Sequence, residues 1–142
     1  MKLKKNHKLV IAADGSAASG KTTGAKIISK KYNLKFLSSG LLYRYASYMI
    51  IKHKPRKKII FLKKCFKNLS LSKFDKIKLH TPIITEYSSK IAKEKKVRTI
   101  LKKYQQNFSK KYNRICIEGR DIGTVILPNA DIKFFFKCEL DV

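Results

Sequence analysis

Apolar residues along the chain follow two rhythms. Short, β-branched runs read as strands: residues 8–13 (Lys8-Leu9-Val10-Ile11-Ala12-Ala13), a brief Phe36-Leu37, residues 112–117 and residues 132–138. In the last of these, Phe134-Phe135-Phe136 predicts burial on both faces. Helical spacing covers residues 22–31 (Ala25, Ile27, Ile28), 41–51, 57–67 (Ile59, Ile60, Leu62, Cys65, Phe66) and 83–108, the last broken near Lys95-Lys96. Ser39 is a fair N-cap for the helix that follows it. Residues 68–78 are weakly patterned, with Leu69, Leu71 and Phe74 hinting at a poor strand. Strands alternating with helices predict the α/β class, with a parallel sheet whose ligand edge lies at the carboxyl ends of the strands. Gly15, Ser39 and Gly119 each follow a predicted strand and are expected to converge on one cleft. The chain contains no internal repeat and no long low-complexity segment.

Between the first strand and the first helix lies Gly15-Ser16-Ala17-Ala18-Ser19-Gly20-Lys21-Thr22, which satisfies G-x-x-x-x-G-K-[ST]. Strand, glycine-rich loop and helix in that order are the context that gives this pattern its meaning. Gly15 and Gly20 permit backbone conformations closed to other residues, so the loop amides turn inward. The start of the helix adds unpaired N–H groups and the positive end of its dipole. In such a loop Lys21 reaches the β- and γ-phosphates of a nucleoside triphosphate and the Thr22 hydroxyl ligates Mg²⁺.

Net charge is +25, from 34 Lys and Arg against 9 Asp and Glu. A balance this basic ordinarily points to nucleic acid or an anionic membrane. Here the lysines are spread along the whole chain beside abundant Ile, Asn, Tyr and Phe, a drift in composition rather than a binding patch. No specific nucleic-acid partner is expected. Cys65, Cys116 and Cys138 form no C-x-x-C, and the latter two lie in apolar runs as expected buried thiols, which suits a reducing compartment. His7, His53 and His80 have no metal-ligand spacing. The first residues are basic but lack the apolar stretch of a signal peptide, and no run approaches the length of a membrane span. A cytoplasmic, monomeric protein of one domain is expected.

Charged residues at element ends are the remaining candidates. Arg120 and Asp121 stand where the third strand runs out, as a structural ion pair or as site residues; beside a phosphate loop the second is favoured. Arg44 interrupts an apolar helix, and its guanidinium needs a protein carboxylate or a substrate phosphate. Arg98 sits in a basic stretch that also reads as a solvated face. Transfer to a phosphate acceptor requires no strong general base, and a site of Arg, Lys and Mg²⁺ without a Ser-His-Asp constellation suits it.

Four blocks in order resemble the bacterial cytidylate kinase family of P-loop nucleoside monophosphate kinases. They are Asp14-Gly15-Ser16-Ala17-Ala18-Ser19-Gly20-Lys21-Thr22, then Ser39-Gly40-Leu41-Leu42-Tyr43-Arg44, then Leu79-His80-Thr81-Pro82-Ile83 with Ser88-Ser89-Lys90-Ile91-Ala92 and Val97-Arg98. The most specific is Glu118-Gly119-Arg120-Asp121-Ile122-Gly123-Thr124-Val125-Ile126-Leu127-Pro128-Asn129-Ala130. The resemblance implies a P-loop NTPase-type parallel sheet with helices on both faces, and a small, shortened monophosphate-binding insert over about residues 52–110. It implies the reaction ATP + (d)CMP → ADP + (d)CDP with Mg²⁺. Gly15, Ser16, Ala17, Ala18, Ser19, Gly20, Lys21, Thr22 and Thr23 would hold ATP, with Thr22 on the metal and Lys21 and Arg120 as catalytic residues. Ser39, Arg44 and Arg120 would meet the acceptor's sugar and phosphate, and Ser89, Arg98 and Asp121 its cytosine.

The sequence also departs from the family. Ser38 stands where Asp is usual, and His80 where Arg is usual. The family continues past the fourth strand into an arginine-rich lid, a fifth strand and a last helix. A chain without them is expected to bind ATP yet turn CMP over very slowly, with an open sheet edge prone to association. The alternatives are a kinase of another monophosphate or small metabolite, an inactive nucleotide-binding remnant, and a basic nucleic-acid binder with a steep salt dependence.

Overall fold

The computed structural model describes residues 7–16 and 19–137. The chain forms two compact units, one from Met1–Ser39 with Gln105–Val142 and one from Gly40–Tyr104. The elements run β1 (Leu9–Gly15), α1 (Lys21–Lys31), β2 (Lys35–Ser38), α2 (Ser39–His53), α3 (Lys58–Lys67), α4 (Pro82–Ile91), α5 (Lys95–Lys111), β3 (Arg114–Gly119) and β4 (Ile132–Phe136). A 3-10 turn occupies Leu71–Lys76 and a short π-helical turn Ile122–Ile126.

The first unit holds a four-stranded, all-parallel sheet in the order β2-β3-β1-β4. Every residue of β1 is buried, as its position between β3 and β4 demands. One face of β1 (Leu9, Ile11, Ala13) packs with Cys116 and Ala25 of α1, and Ile28, Leu34, Phe36 and Phe136 close the rim. Burial raises the pKa of the Cys116 thiol, in keeping with a core cysteine. Two residues past the end of α1, Asn33 lies in the left-handed region, a conformation that Asn tolerates better than most residues. From β1 the chain crosses to β2 on one side, and from β3 it returns across β1 to β4 on the other. The reversal lies between β1 and β3, and ligands of open α/β sheets bind at the carboxyl ends of such strands. Gly15, Ser39 and Gly119 meet there as expected: a Cβ on Gly119 would lie 3.0 Å from the Ser39 Cβ.

Two expectations fail here, and a third falls on a residue that is not described. Phe134-Phe135-Phe136 is not buried on both faces. β4 is an edge strand, Phe134 and Phe135 are exposed, and Phe136 alone turns inward. The Phe136 ring lies so close to α1 that a Cβ on Gly24 would come within 2.5 Å of it. Ser39 is the first residue of α2, not a cap outside it. Cys138 lies outside the described residues.

The second unit is helical. Tyr45 of α2 is buried with its ring 5.8 Å from that of Phe66 and 5.2 Å from that of Phe74, and the Tyr104 ring lies 5.6 Å from Phe66. The segment with Leu69, Leu71 and Phe74 is therefore no strand. Leu71 and Phe74 stand three apart on the 3-10 turn, the spacing that places both on one side. Thr81 caps α4, its hydroxyl accepting the Ile84 N–H at 3.3 Å, with Pro82 as the first helical residue. Lys58 and Glu94 form the one ion pair among the described residues, at 2.7 Å. No helix among those residues is long and apolar enough to cross a membrane.

Candidate active site

At the carboxyl edge of the first unit's sheet, β1 runs directly into the glycine-rich loop. Gly15 admits no side chain: a Cβ there would sit 2.6 Å from the Ser19 hydroxyl and 2.8 Å from the Phe136 carbonyl oxygen. The Ser19 N–H donates to the Ser16 carbonyl at 3.3 Å, and the buried Ser19 hydroxyl has no hydrogen-bond partner among the described residues. Gly20 precedes α1 with φ of 80°, the left-handed conformation that glycine adopts without strain. No side chain caps α1 and no acidic residue occupies its first turn. Its opening N–H groups and dipole are thus left for an external anion. Ala17 and Ala18 lie outside the described residues. Thr23 is exposed in the first turn of α1.

Lys21 folds back over the loop, its Nζ donating to the Gly15 carbonyl at 2.8 Å. Partial burial lowers its pKa from the ordinary 10.5; Glu118 opposes this, Arg120 adds to it and Asp14 opposes it. The direction fixes two opposite pH responses. Between the lowered value and 10.5 the unfolded chain holds a proton that the folded chain has lost, so stability rises with pH in that window. Phosphate affinity falls in the same window, because the ammonium is the form that attracts it. Titration of a fluorescent ATP analogue from neutral pH to about 10.5 is expected to show affinity falling below the ordinary lysine range, and Lys21→Arg is expected to flatten that fall.

Two carboxylates complete the site, and neither was among the residues singled out from the sequence. Glu118, at the end of β3, is 3 % exposed. Its Oε1 accepts from the Ser38 hydroxyl at 2.6 Å and the Thr22 hydroxyl at 3.0 Å, tying β2, β3 and α1 together. Asp14, at the end of β1, is 8 % exposed and accepts the N–H groups of Ile122 at 2.7 Å and Gly123 at 2.8 Å. The signal was present: each is a carboxylate closing an apolar strand, in a chain with only nine acidic residues. Arg120 follows β3 and is exposed, and Asp121 is half-buried; among the described residues they form no ion pair with each other. Ser39 is buried at the start of α2.

A phosphate chain with Mg²⁺ fits these residues. The cradle excludes a Cβ at Gly15, the start of α1 is uncapped, and Thr22 and Glu118 present hard oxygen donors side by side. A separate cavity of about 470 Å³, lined by Lys8, Val10, Leu127 and Asp131 among others, lies at the amino end of β1, the wrong edge for this chemistry.

The remaining sequence candidates belong to the second unit. Arg44 is half-buried, and its Nη1 donates to the Thr85 hydroxyl at 2.7 Å and the Leu79 carbonyl at 3.3 Å. Its partners there are neutral, so of the two anions considered for it, a protein carboxylate or a substrate phosphate, no carboxylate is found among the described residues. The exposed Ser89 donates to the Thr85 carbonyl at 3.2 Å. Arg98, also exposed, donates to the Ala92 carbonyl at 3.3 Å and closes the end of α4.

Residues 11–142 match the model of the cytidylate kinase family. The chain belongs to that family. It is 35 % identical to a cytidylate kinase of Mesorhizobium japonicum over 137 residues, covering 96 % of this chain and 63 % of that protein. It is 38 % identical to one of Clostridium botulinum strain Hall over 143 residues, 93 % of this chain and 65 % of the relative. A cytidylate kinase of Bartonella tribocorum is 39 % identical over 137 residues, 92 % of this chain and 61 % of the relative. The chain therefore spans less than two thirds of the length of these relatives. Family membership agrees with the α/β architecture, whose parallel sheet carries the phosphate loop after its central strand.

Proposed function

We propose that the chain transfers the γ-phosphoryl group of ATP to CMP or dCMP, giving ADP and CDP or dCDP. The observation that carries the reading is the uncapped start of α1 behind left-handed Gly20, with Lys21 and Thr22 gathered beside Glu118, in a chain of the cytidylate kinase family. The bond from the γ-phosphorus to the β–γ bridging oxygen breaks, and a new bond forms to an acceptor phosphate oxygen. That oxygen is already anionic, so no side chain has to remove a proton.

Backbone amides of residues 15–22 orient the triphosphate, and Lys21 leaves the Gly15 carbonyl to meet the β- and γ-phosphates. Thr22, with Glu118 behind it, would hold Mg²⁺. When bound, the ion supplies charge neutralisation on the phosphates. Arg120 and Ser39 are proposed for the acceptor's phosphate and sugar, and Asp121 for the cytosine N4 amino group. Arg44, Ser89 and Arg98, on the second unit, are proposed for the acceptor on the strength of the family alone. A coupled assay of ADP release with CMP, dCMP, UMP, AMP and shikimate tests the reading. Turnover or saturable binding selective for the cytidine nucleotides supports it, and equal response to all acceptors, or to none, refutes it.

Asp121→Asn is expected to reduce the preference for CMP over UMP at least about tenfold, the scale of one hydrogen bond to a charged group. A carboxylate can only accept, whereas an amide can turn to donate toward the uracil O4. The ratio of kcat/KM for the two acceptors reads this out, and an unchanged ratio removes Asp121 from the base site.

A further inference from the structure

Asp14 is the residue before Gly15, so its position in the sequence ties it to the phosphate loop. Its hydrogen bonds lead elsewhere. Oδ1 takes the Ile122 N–H and Oδ2 the Gly123 N–H, 108 and 109 positions away along the chain. A buried carboxylate is costly unless its oxygens are satisfied, and among the described residues no cation pairs with this one. A side chain with two equivalent acceptors is what two adjacent backbone donors require.

The segment that Asp14 grips is held on its other sides too. Ile122 is fully buried, and a Cβ on Gly119 would lie 2.7 Å from its Cδ1. A Cβ on Gly123 would lie 3.2 Å from Asp14 Oδ2 and 3.1 Å from the Lys133 Cδ, so residue 123 is closely held between them. The Asp121 carbonyl accepts the N–H groups of Val125 at 2.9 Å and Ile126 at 3.3 Å, which fixes the entry to the π-helical turn. Arg120 and Asp121 therefore leave the backbone directly before two clamped amides.

We infer that Asp14 is a positioning residue for the acceptor: its carboxylate clamps the Ile122 and Gly123 amides and so sets the direction from which Arg120 and Asp121 reach the acceptor. The inference rests on the acceptor roles proposed above for those two residues. Each Asp14 oxygen accepts one backbone N–H, so the carboxylate acts on the acceptor through those two amides. Its loss therefore changes recognition of the acceptor more than binding at the adjacent triphosphate site, where Asp14 acts only through its charge near Lys21.

The test uses the full chain with Asp14→Asn, Asp14→Ala, Asp121→Asn and the double variant Asp14→Asn with Asp121→Asn. Affinity for CMP and UMP, kcat/KM for each where turnover is measurable, and the Kd of a fluorescent ATP analogue are compared, with circular dichroism as the folding control. Asp14→Asn is expected to weaken CMP about tenfold and lower the CMP-to-UMP ratio, with the ATP analogue within about twofold of the parent. In the Asp121→Asn background, Asp14→Asn is expected to change the ratio no further, because the two act on one contact. Equal weakening of CMP and the ATP analogue, or the same change in ratio with and without Asp121, overturns the inference. If Asp14→Ala does not fold, Asp14→Asn, which keeps one carbonyl acceptor, carries the test. If neither folds, Gly123→Ala presses on the same contact from the other side and is held to the same outcomes. A parent chain that discriminates CMP while Asp14→Asn is unchanged refutes this inference alone; a parent chain without CMP recognition refutes the kinase reading with it.

Discussion

Lys21→Ala is expected to lower phosphoryl transfer by about 10²–10³-fold, the scale seen when one preorganised donor to developing charge is removed. The fold is expected to survive. The Lys21 ammonium is held partly out of water, its pKa lowered by burial, so the folded protein carries that charge at a cost. Its only hydrogen bond among the described residues is to the Gly15 carbonyl, at the open loop. Removing the side chain relieves desolvation and leaves the loop backbone unaltered. The transferring group, by contrast, loses a cation where negative charge spreads over the γ-phosphoryl oxygens. Coupled ADP release measures the rate and circular dichroism the fold. Turnover near that of the parent would overturn the assignment of the loop as the phosphoryl donor site.

Glu118→Gln is expected to raise the Mg²⁺ concentration needed for half-maximal activity by about 10–100-fold, the usual effect of disturbing a group that orients a metal ligand. The glutamine carbonyl can still accept from the Ser38 and Thr22 hydroxyls, so geometry is retained while the negative charge is lost. Glu118→Ala is expected to destabilise the chain as well, by about 1–3 kcal/mol, because the buried Ser38 hydroxyl loses this acceptor. Mg²⁺ titrations of activity and thermal unfolding separate the two effects. An unchanged Mg²⁺ dependence in Glu118→Gln would make Glu118 an anchor for hydroxyl groups and nothing more. Ser38 shapes this arrangement, since the Asp usual in the family would set a second carboxylate beside Glu118, where this chain has a donor.

What could be read from the sequence divides by the range of the interactions that decide it. The phosphate loop was legible because strand, glycines, lysine and helix start are contiguous and each acts locally. Helix and strand positions followed for the same reason, with ends displaced by one to three residues. Phe134-Phe135-Phe136 misled because an apolar run does not reveal whether its strand lies inside a sheet or at its edge; pairing with β1 alone decides that. Leu69, Leu71 and Phe74 misled because the i, i+3 pair of a 3-10 turn imitates alternation over so short a stretch. Glu118 and Asp14 were overlooked because their partners stand 80 to 109 positions away, and nothing local marks a carboxylate as the acceptor for a distant hydroxyl or amide. Arg44 was noticed for its charge in an apolar helix, but the acceptors it found are a hydroxyl and a carbonyl.

The parallel pairing of β1 with β3 and β4 also sets an order of events during synthesis. β1 and the phosphate loop leave the ribosome first, yet the strands that flank β1 follow roughly a hundred residues later. Translation at about 5–20 residues per second puts several seconds between them. Residues 40–104, which have their own contacts, are complete in that interval while β1 has no neighbour to bond. β2 cannot relieve this, because it bonds to β3 and not to β1. Closing a loop of this length is entropically unfavourable until the long-range bonds form, so the nucleotide cradle is encoded early and built late. Nascent chains halted before residue 114 should therefore fail to retain an ATP analogue, whatever the state of their helices.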